Sequence, residues 1–574
     1  MKASIPLKIT VAVLALAILA AFGLWLSGTI LYWWFGFDAD VNILTYWQYL
    51  RNISHPKYIP FLTKIKVSGL AGFVLPLSAY LFFLYFLFKP RAQSTHGDAR
   101  FADRAALKRA GLLDKDKTGV LIGRIGNTYL RDKGQRFILL AAPTRSGKGV
   151  GVVIPVLLDY QESVVVLDIK QENFQITSGY RKSIGQDIYV FNPFSDTGQT
   201  HRWNPLRYVS QDTDQRVGDL RGIAQMLYPD GDGTGNQKFF IDHARNVFLA
   251  LTLYLFERYE RDAQFKKHHA SYPTLGALYR TAMGDGQDLK KHLSHIADDD
   301  GLSDACRTAF AGFLSQADET FSSIMGTFNA PLTAWSDPIL DAATSGDDFL
   351  LTDVRKRRMS IYLCVSPNKL QQASLIFNLF FSQLINENTR LLPQQDPSLQ
   401  HQCLLLMDEF TSIGPVEIIA HAVSYIAGYN LRLLPIIQSM AQLDATYGKE
   451  KSRTLVTNHA TQIVYAPREQ QDANDYSEML GYTTPRKRNR TLAREISHTE
   501  VEERRALMLP QELKAMGPDK QILLIEGMNS PALVDKIRYY KERMFKSRLL
   551  QPVAIPRLKS QQKDPLFVKG FGFH

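Results

Sequence analysis

Charge disappears from the chain twice. Across residues 9–37, and again across 67–88, there is no Asp, Glu, Lys or Arg, and each run is at least as long as the ~20 apolar residues that cross a bilayer as a helix. The pattern predicts two transmembrane helices, about 9–35 and 67–88, in a membrane anchor covering residues 1–95. A cleaved signal peptide is the rival for the first run, because Lys2 and Lys8 precede it and Ala15, Leu16 and Ala17 have the small-x-small form. The apolar run continues well past that site to Trp33 and Trp34, which favours a span. Tyr32, Trp33, Trp34 and Trp47 suit an interfacial aromatic belt.

After Pro90 the texture becomes mixed, and no later run predicts a span. Short continuous apolar runs occupy 137–142, 163–168, 188–191, 359–365, 403–408, 433–437, 463–465 and 521–525. Continuous runs, as opposed to alternating ones, are expected of strands buried on both faces of a parallel sheet. Helical stretches separate them, so the class is α/β. Between residues 214 and 343 the period is helical, with few strand candidates, which predicts an all-α domain inserted into the α/β body; 231–235 reads as a loop inside it. The α/β body then comprises 96–213 and 344–540. A basic tail, 541–574, with little apolar periodicity, is expected to be loosely ordered.

Composition adds limits. The 574 residues, 45% hydrophobic and 21% charged, are enough for one large core or two. Cys306, Cys364 and Cys403 are scattered without metal-type spacing, and are read as small core residues in a reducing compartment. The net charge of +11 permits attraction to polyanions without demonstrating it.

Candidate chemistry concentrates at strand ends. The run 137–142 leads directly into Ala142, Pro143, Thr144, Arg145, Ser146, Gly147, Lys148, Gly149 and Val150, and then a helical stretch. Backbone N–H groups of such a turn can cradle phosphates while Lys148 reaches the terminal ones. Two positions depart from the usual phosphate-loop pattern: Ala142 replaces the first glycine, and Gly149 stands where a Ser or Thr would offer Mg²⁺ a hydroxyl. A strand ending in Asp408 and Glu409 supplies the complement, Asp408 for the water shell of Mg²⁺ and Glu409 to activate the attacking water. Together these motifs predict ATP and Mg²⁺ binding. Gln438 ends the next apolar run and can sense the γ-phosphate or simply satisfy a loop; Asp168 ends another and is read as the cap of the following helix. Arg486, Lys487, Arg488 and Arg490 form a basic run, kept as a candidate DNA contact although such runs are more often solvated faces.

With those residues in place the chain resembles the TraG-like coupling proteins of conjugation and type IV secretion, within the FtsK and HerA motor ATPases. The likeness rests on the paired spans, His96-Gly-Asp-Ala-Arg-Phe-Ala102, the phosphate-loop segment 142–151, Leu167-Asp-Ile-Lys170, Arg202-Trp-Asn-Pro-Leu206, Leu406-Met-Asp-Glu-Phe410, Ala427-Gly-Tyr-Asn-Leu-Arg432, Ile437-Gln-Ser439 and Gly481-Tyr-Thr-Thr484. The family often carries Gly after the loop lysine. Some relatives have a basic residue where this chain has Ala427, so no arginine finger is assigned. The resemblance implies a RecA-like P-loop nucleotide-binding domain with the inserted all-α domain. It also implies a homo-hexamer in the bacterial inner membrane; because a nucleotide site needs the compartment that holds ATP, both termini are read as cytoplasmic, with residues 38–66 as a short external loop. Its implied work is ATP hydrolysis coupled to transfer of relaxase-bound DNA or effector proteins through type IV secretion channel components. The alternatives are a DNA translocase of the FtsK type and a docking receptor with a structural nucleotide.

Overall fold

The computed structural model describes residues 5–88, 97–113, 119–230, 235–265, 270–284, 286, 288–492 and 496–558. Met1–Thr95 and His96–His574 form separate compact units.

The first unit is built on two long apolar helices, Ile5–Phe35 and Leu62–Phe88. They run antiparallel, and small residues let them approach closely: a Cβ on Gly23 would press on the Phe73 ring, and one on Gly72 would collide with Ser27. Tyr80 Oη donates to the carbonyl of Ala12 at 2.9 Å. Leu14, Ile18, Leu75 and Phe82 point outward, exposed, as side chains facing lipid do. The second helix starts five residues before the uncharged run, taking in Lys64 and Lys66, and the connection contains the helix Ile43–Arg51 instead of being only a loop.

The second unit holds the strands β1 (Val120–Ile125), β2 (Thr128–Asp132), β3 (Ile138–Ala141), β4 (Ser163–Asp168) and β5 (Asp187–Phe191). There follow β6 (Met359–Cys364), β7 (Cys403–Met407), β8 (Leu431–Ile437) and β9 (Thr461–Val464). Then come β10 (Tyr482–Thr483), β11 (Arg486–Leu492), β12 (Ile496–Glu502), β13 (Arg505–Ala506), β14 (Lys520–Ile525) and β15 (Ala532–Asp535). Eleven of them make one sheet in the order β2-β1-β15-β14-β9-β3-β8-β7-β4-β6-β5. From β9 to β5 every pairing is parallel; from β9 to β2 every pairing is antiparallel.

The parallel strands are apolar throughout because both faces are covered. In β4, Val165 and Leu167 join the core on one face while Val164 and Val166 join the core on the other. Between β5 and β6 the chain forms helices Thr213–Leu227, Gly235–Gln264, Leu275–Met283, Leu289–Ala297, Asp304–Leu314, Asp318–Leu332 and Pro338–Ala343. The fold is therefore α/β with an all-α insertion. Its entry and exit are stitched together: Trp203 N donates to Ala343 O at 2.8 Å, and Arg202 grips Asp348 with both backbone and guanidinium. Gly235–Gln264 is long and apolar enough to cross a membrane by composition, yet Ala244, Val247, Phe248 and Leu251 are buried within this insertion.

Two expectations change here. Of the anticipated loop at 231–235, residues 231–234 lie outside the described residues and Gly235 opens a helix. The expected loose tail is ordered over 541–558: Phe545 is fully buried, Arg548 pairs with buried Asp159, and Gln199 bridges Arg557. Apolar periodicity misses this segment because it is anchored by single contacts and not by a face. Residues 559–574 lie outside the described residues.

Candidate functional site

In a parallel sheet the strand ends all point their following loops to one edge, and ligands bind outside that edge where strand order allows a crevice. β3 delivers the phosphate-type loop there, β7 the acid pair, β8 the glutamine and β4 an aspartate. The amide of Ala142 donates to Ile437 O at 2.9 Å, which ties the start of the loop to the end of β8.

Ala142 and Pro143, just past the end of β3, are buried; Thr144 and Arg145 are exposed, and residues 146–150 are half-buried. Arg145 and Gly147 adopt left-handed backbone, φ 58° and 86°, a conformation that turns successive N–H groups into one concavity. Ala142 is not among the residues with positive φ, so the first glycine of the usual pattern is not required here. Gly147 is required: besides its φ, a Cβ would lie 2.9 Å from Arg538 Nη1. Gly149 differs again, since a Cβ there would meet nothing within 4 Å. The helix after the loop begins with a wide π turn, Gly149–Val153, before continuing as α-helix.

Lys148 Nζ lies 2.5 Å from Glu409 Oε1 and 3.0 Å from Asp408 Oδ1. From the neighbouring strand Gln438 Nε2 donates to Glu409 Oε2 at 2.7 Å. Glu409 is itself left-handed, φ 60°, a conformation costing a non-glycine residue of order 1–3 kcal/mol and found where a site demands it. Burial alone would push the Glu409 carboxyl up, but the hydrogen bond and charge of Lys148, with Gln438 helping, hold it below the usual carboxylate range. Asp408 goes the other way: burial raises it against the pull of Lys148. Asp168 accepts the backbone N–H of Asn173 and Phe174, the cap expected of it, and burial pushes it up to about 7 despite those bonds, with the nearby Asp408 adding to the rise.

The residues suit Mg²⁺. That ion keeps several waters and takes one or two carboxylates plus phosphate oxygens in preference to a protein cage. Asp408 Oδ1, at the tip of its strand, meets the Lys148 ammonium at 3.0 Å, so an oxygen acceptor is available there once that cation turns to a phosphate.

Other anticipated residues fall elsewhere. Arg432, at the far end of β8 from Gln438, is fully buried on the carbonyls of Arg136 and Asp132, a structural post. Arg486, Lys487, Arg488 and Arg490 lie on strand β11 of a separate hairpin and not on a loop; the register sets Arg486 opposite Glu502 and Arg488 opposite Glu500. Their side chains lie outside the described residues. Sequence reasoning missed Lys536 and Arg538, which follow β15 and reach the loop: Lys536 Nζ is 3.3 Å from Ser146 O. It also missed Arg468, whose Nη1 is 3.3 Å from Thr144 Oγ1. No local pattern marks Lys536 and Arg538, because the strand before them is only four residues long.

Residues 95–562 match the family model described as type IV secretory system conjugative DNA transfer. Protein VirD4 of Rhizobium rhizogenes is 31% identical over 556 residues, covering 94% of this chain and 79% of its own. Among solved structures, plasmid coupling protein TrwB in complex with a non-hydrolysable ATP analogue superposes with a TM-score of 0.55 at 17% identity, covering 82% of this chain and 98% of that one. The same protein with ADP and Mg²⁺ gives 0.53 at 17%, over 78% and 96%. At such identity these superpositions speak for the fold, a RecA-like P-loop domain carrying an all-α domain.

Proposed function

The chain belongs to the type IV secretory system conjugative DNA transfer family, and from that premise we propose that it is a membrane-anchored motor whose ATP hydrolysis drives substrate through a type IV secretion channel. ATP and Mg²⁺ are its cofactors. The reading is supported above all by one observation: Lys148 sits between Asp408 and Glu409 while Gln438 holds the far oxygen of Glu409. The loop cation, the acid pair and the γ-phosphate sensor of a hydrolytic site are thus within hydrogen-bond reach of one another.

Each residue then has a task. The loop from Ala142 to Val150 wraps the phosphates with backbone N–H groups. A polyphosphate in that loop competes with two carboxylates for Lys148, and the ammonium moves to the stronger anion. Glu409 loses the partner that depresses it, becomes more basic, and accepts a proton from the attacking water. Gln438 keeps the Glu409 carboxylate aimed. Asp408, through water, would hold Mg²⁺, which would supply charge neutralisation across the phosphates. Asp168 steadies the adjoining helix.

The two apolar helices of 1–95 anchor the chain in the bacterial inner membrane, and two spans return both termini to the cytoplasm, where ATP is. A homo-hexamer is the proposed assembly; every copy carries Ala427, so no arginine finger is assigned from that position. The substrates proposed are DNA with its bound relaxase or effector proteins, handed to channel components by this body.

The test uses the full chain in detergent or nanodiscs. Glu409→Gln is expected to bind ATP and abolish both turnover and DNA transfer in a mating assay, whereas Lys148→Ala loses binding. Turnover equal to wild type in Glu409→Gln would falsify the motor assignment.

A further inference from the structure

β14 runs antiparallel to β9, and β15 antiparallel to β14. β15 therefore points the same way as β3, and the chain leaving it emerges at the same sheet edge as the phosphate-binding loop. The residues that emerge are Lys536 and Arg538, two apart in an extended segment.

Lys536 is only 3% exposed. Its Nζ stands 3.5 Å from the centre of the Tyr465 ring and donates to Ser146 O at 3.3 Å. Among the described residues no carboxylate comes within ion-pair distance of it; Asp519, whose charge acts on it, is held by Arg538 Nε and Nη2 at 3.1 and 3.0 Å. A buried ammonium without a counter-ion is costly and persists only where something else requires it. Around it two further polar groups are buried without partners, Ser146 Oγ and Tyr465 Oη. Gly151, one turn into the helix, has to be glycine because a Cβ there would collide with Tyr465 Oη. Arg538 spends Nε and Nη2 on Asp519 and Pro518, while its Nη1 stands beside Gly147, 2.9 Å from where a Cβ on that glycine would be.

We propose that Lys536 is a positioning residue of the nucleotide site and Arg538 its phosphate-facing companion: the cations delivered by β15 hold the loop backbone in its concave form and strengthen its grip on a nucleotide polyphosphate. The inference deepens the nucleotide reading above and rests on it. Lys536 acts through the Ser146 carbonyl and the face of Tyr465; a polyphosphate in the loop supplies the anion it lacks. Burial, and the charge of Arg538 beside it, pull the Lys536 ammonium down to about 8, Asp519 opposing. A bound polyphosphate raises that value again. Affinity is therefore full below about pH 8 and falls as pH climbs from the free-site value through the higher bound-site value. The other titratable group packed on Lys536, Tyr465, is raised by burial well out of this range.

The experiment is equilibrium binding of Mg²⁺-ADP to the full chain from pH 7 to 9.5, in wild type, Lys536→Met, Arg538→Gln and Lys148→Ala, each checked by thermal melting. Wild type should weaken several-fold across that range. Lys536→Met should bind about tenfold more weakly at pH 7, the size of one charge-assisted contact, with no remaining pH dependence. Arg538→Gln should weaken binding several-fold and keep the slope, and it decides the matter if Lys536→Met fails to fold. A flat wild-type profile overturns the proposal, as does a folded Lys536→Met with wild-type affinity and slope. So does an unchanged Arg538→Gln. Failure of wild type to bind, or a Lys148→Ala that binds as wild type does, removes the nucleotide reading itself.

Discussion

The two halves of the large sheet load the same edge with opposite charge. Its parallel half, β9 to β5, brings acids and an amide: Asp168, Asp408, Glu409 and Gln438 all sit at strand ends. Its antiparallel half brings cations: Lys536 and Arg538 follow β15. The phosphate loop follows β3, in the parallel half beside the boundary strand β9, and carries Lys148. A polyanion entering the loop meets cations on one flank and, on the other, carboxylates that need a metal or a proton before they tolerate it. On the proposed reading, the difference separates two jobs, holding the phosphates and doing chemistry on them, by strand direction.

That division can be broken by substitution. The largest effect belongs to the acid flank: Glu409→Gln should cut turnover by about 10²–10⁴, the range for removing a general base, while ADP affinity stays near wild type in calorimetry. If affinity falls together with turnover, the flanks are not divided.

Next comes the boundary strand. His459, just before β9, is buried with Nε2 unpartnered, and burial lowers it to about 4. The unfolded chain protonates it near pH 6.5, so stability is present above 6.5 and is lost as pH falls from there to about 4, by roughly 3 kcal/mol. His459→Gln should flatten that part of the melting-temperature profile. A slope identical to wild type would assign the acid sensitivity to other groups.

Smaller effects come from the two loop glycines. Gly147→Ala forces a side chain into left-handed backbone against Arg538 and should lose about 1–3 kcal/mol of stability or nucleotide binding. Gly149→Ser enters open space, so stability should change by no more than about 0.5 kcal/mol, while the added hydroxyl lowers the Mg²⁺ concentration needed for half-maximal turnover. Equal losses at both glycines would contradict the loop geometry.

Much of the acid flank is legible from residue pattern alone, because strands covered on both faces are written as unbroken apolar runs whose last residue marks the edge. The helix cap by Asp168 follows in the same way. The antiparallel flank is harder. β1 is interrupted by Gly123 and Arg124, β2 ends in Arg131 and Asp132, and β15 is four residues long. None announces a period. Lys536 and Arg538 look like ordinary surface charges until strand direction is known, since only the reversal at β14 carries them to the loop. The contact of Gln438 with Glu409 depends on β8 and β7 being neighbours, which no local pattern encodes.

The pairing of β1 with β15 also sets a timetable for the newborn chain. Arg124 and Lys536, joined by a hydrogen bond across the sheet, are 412 residues apart, and at ~5–20 residues per second a ribosome needs roughly 20–80 seconds to travel between them. By then the two hydrophobic helices have already emerged, so insertion into the bilayer precedes completion of the body. The β1–β2 hairpin meanwhile waits with an unpaired edge, which is open to wrong pairing. A ribosome that stops short of β15 releases a protein that contains Asp408 and Glu409 but lacks the strand that joins β1 to β14.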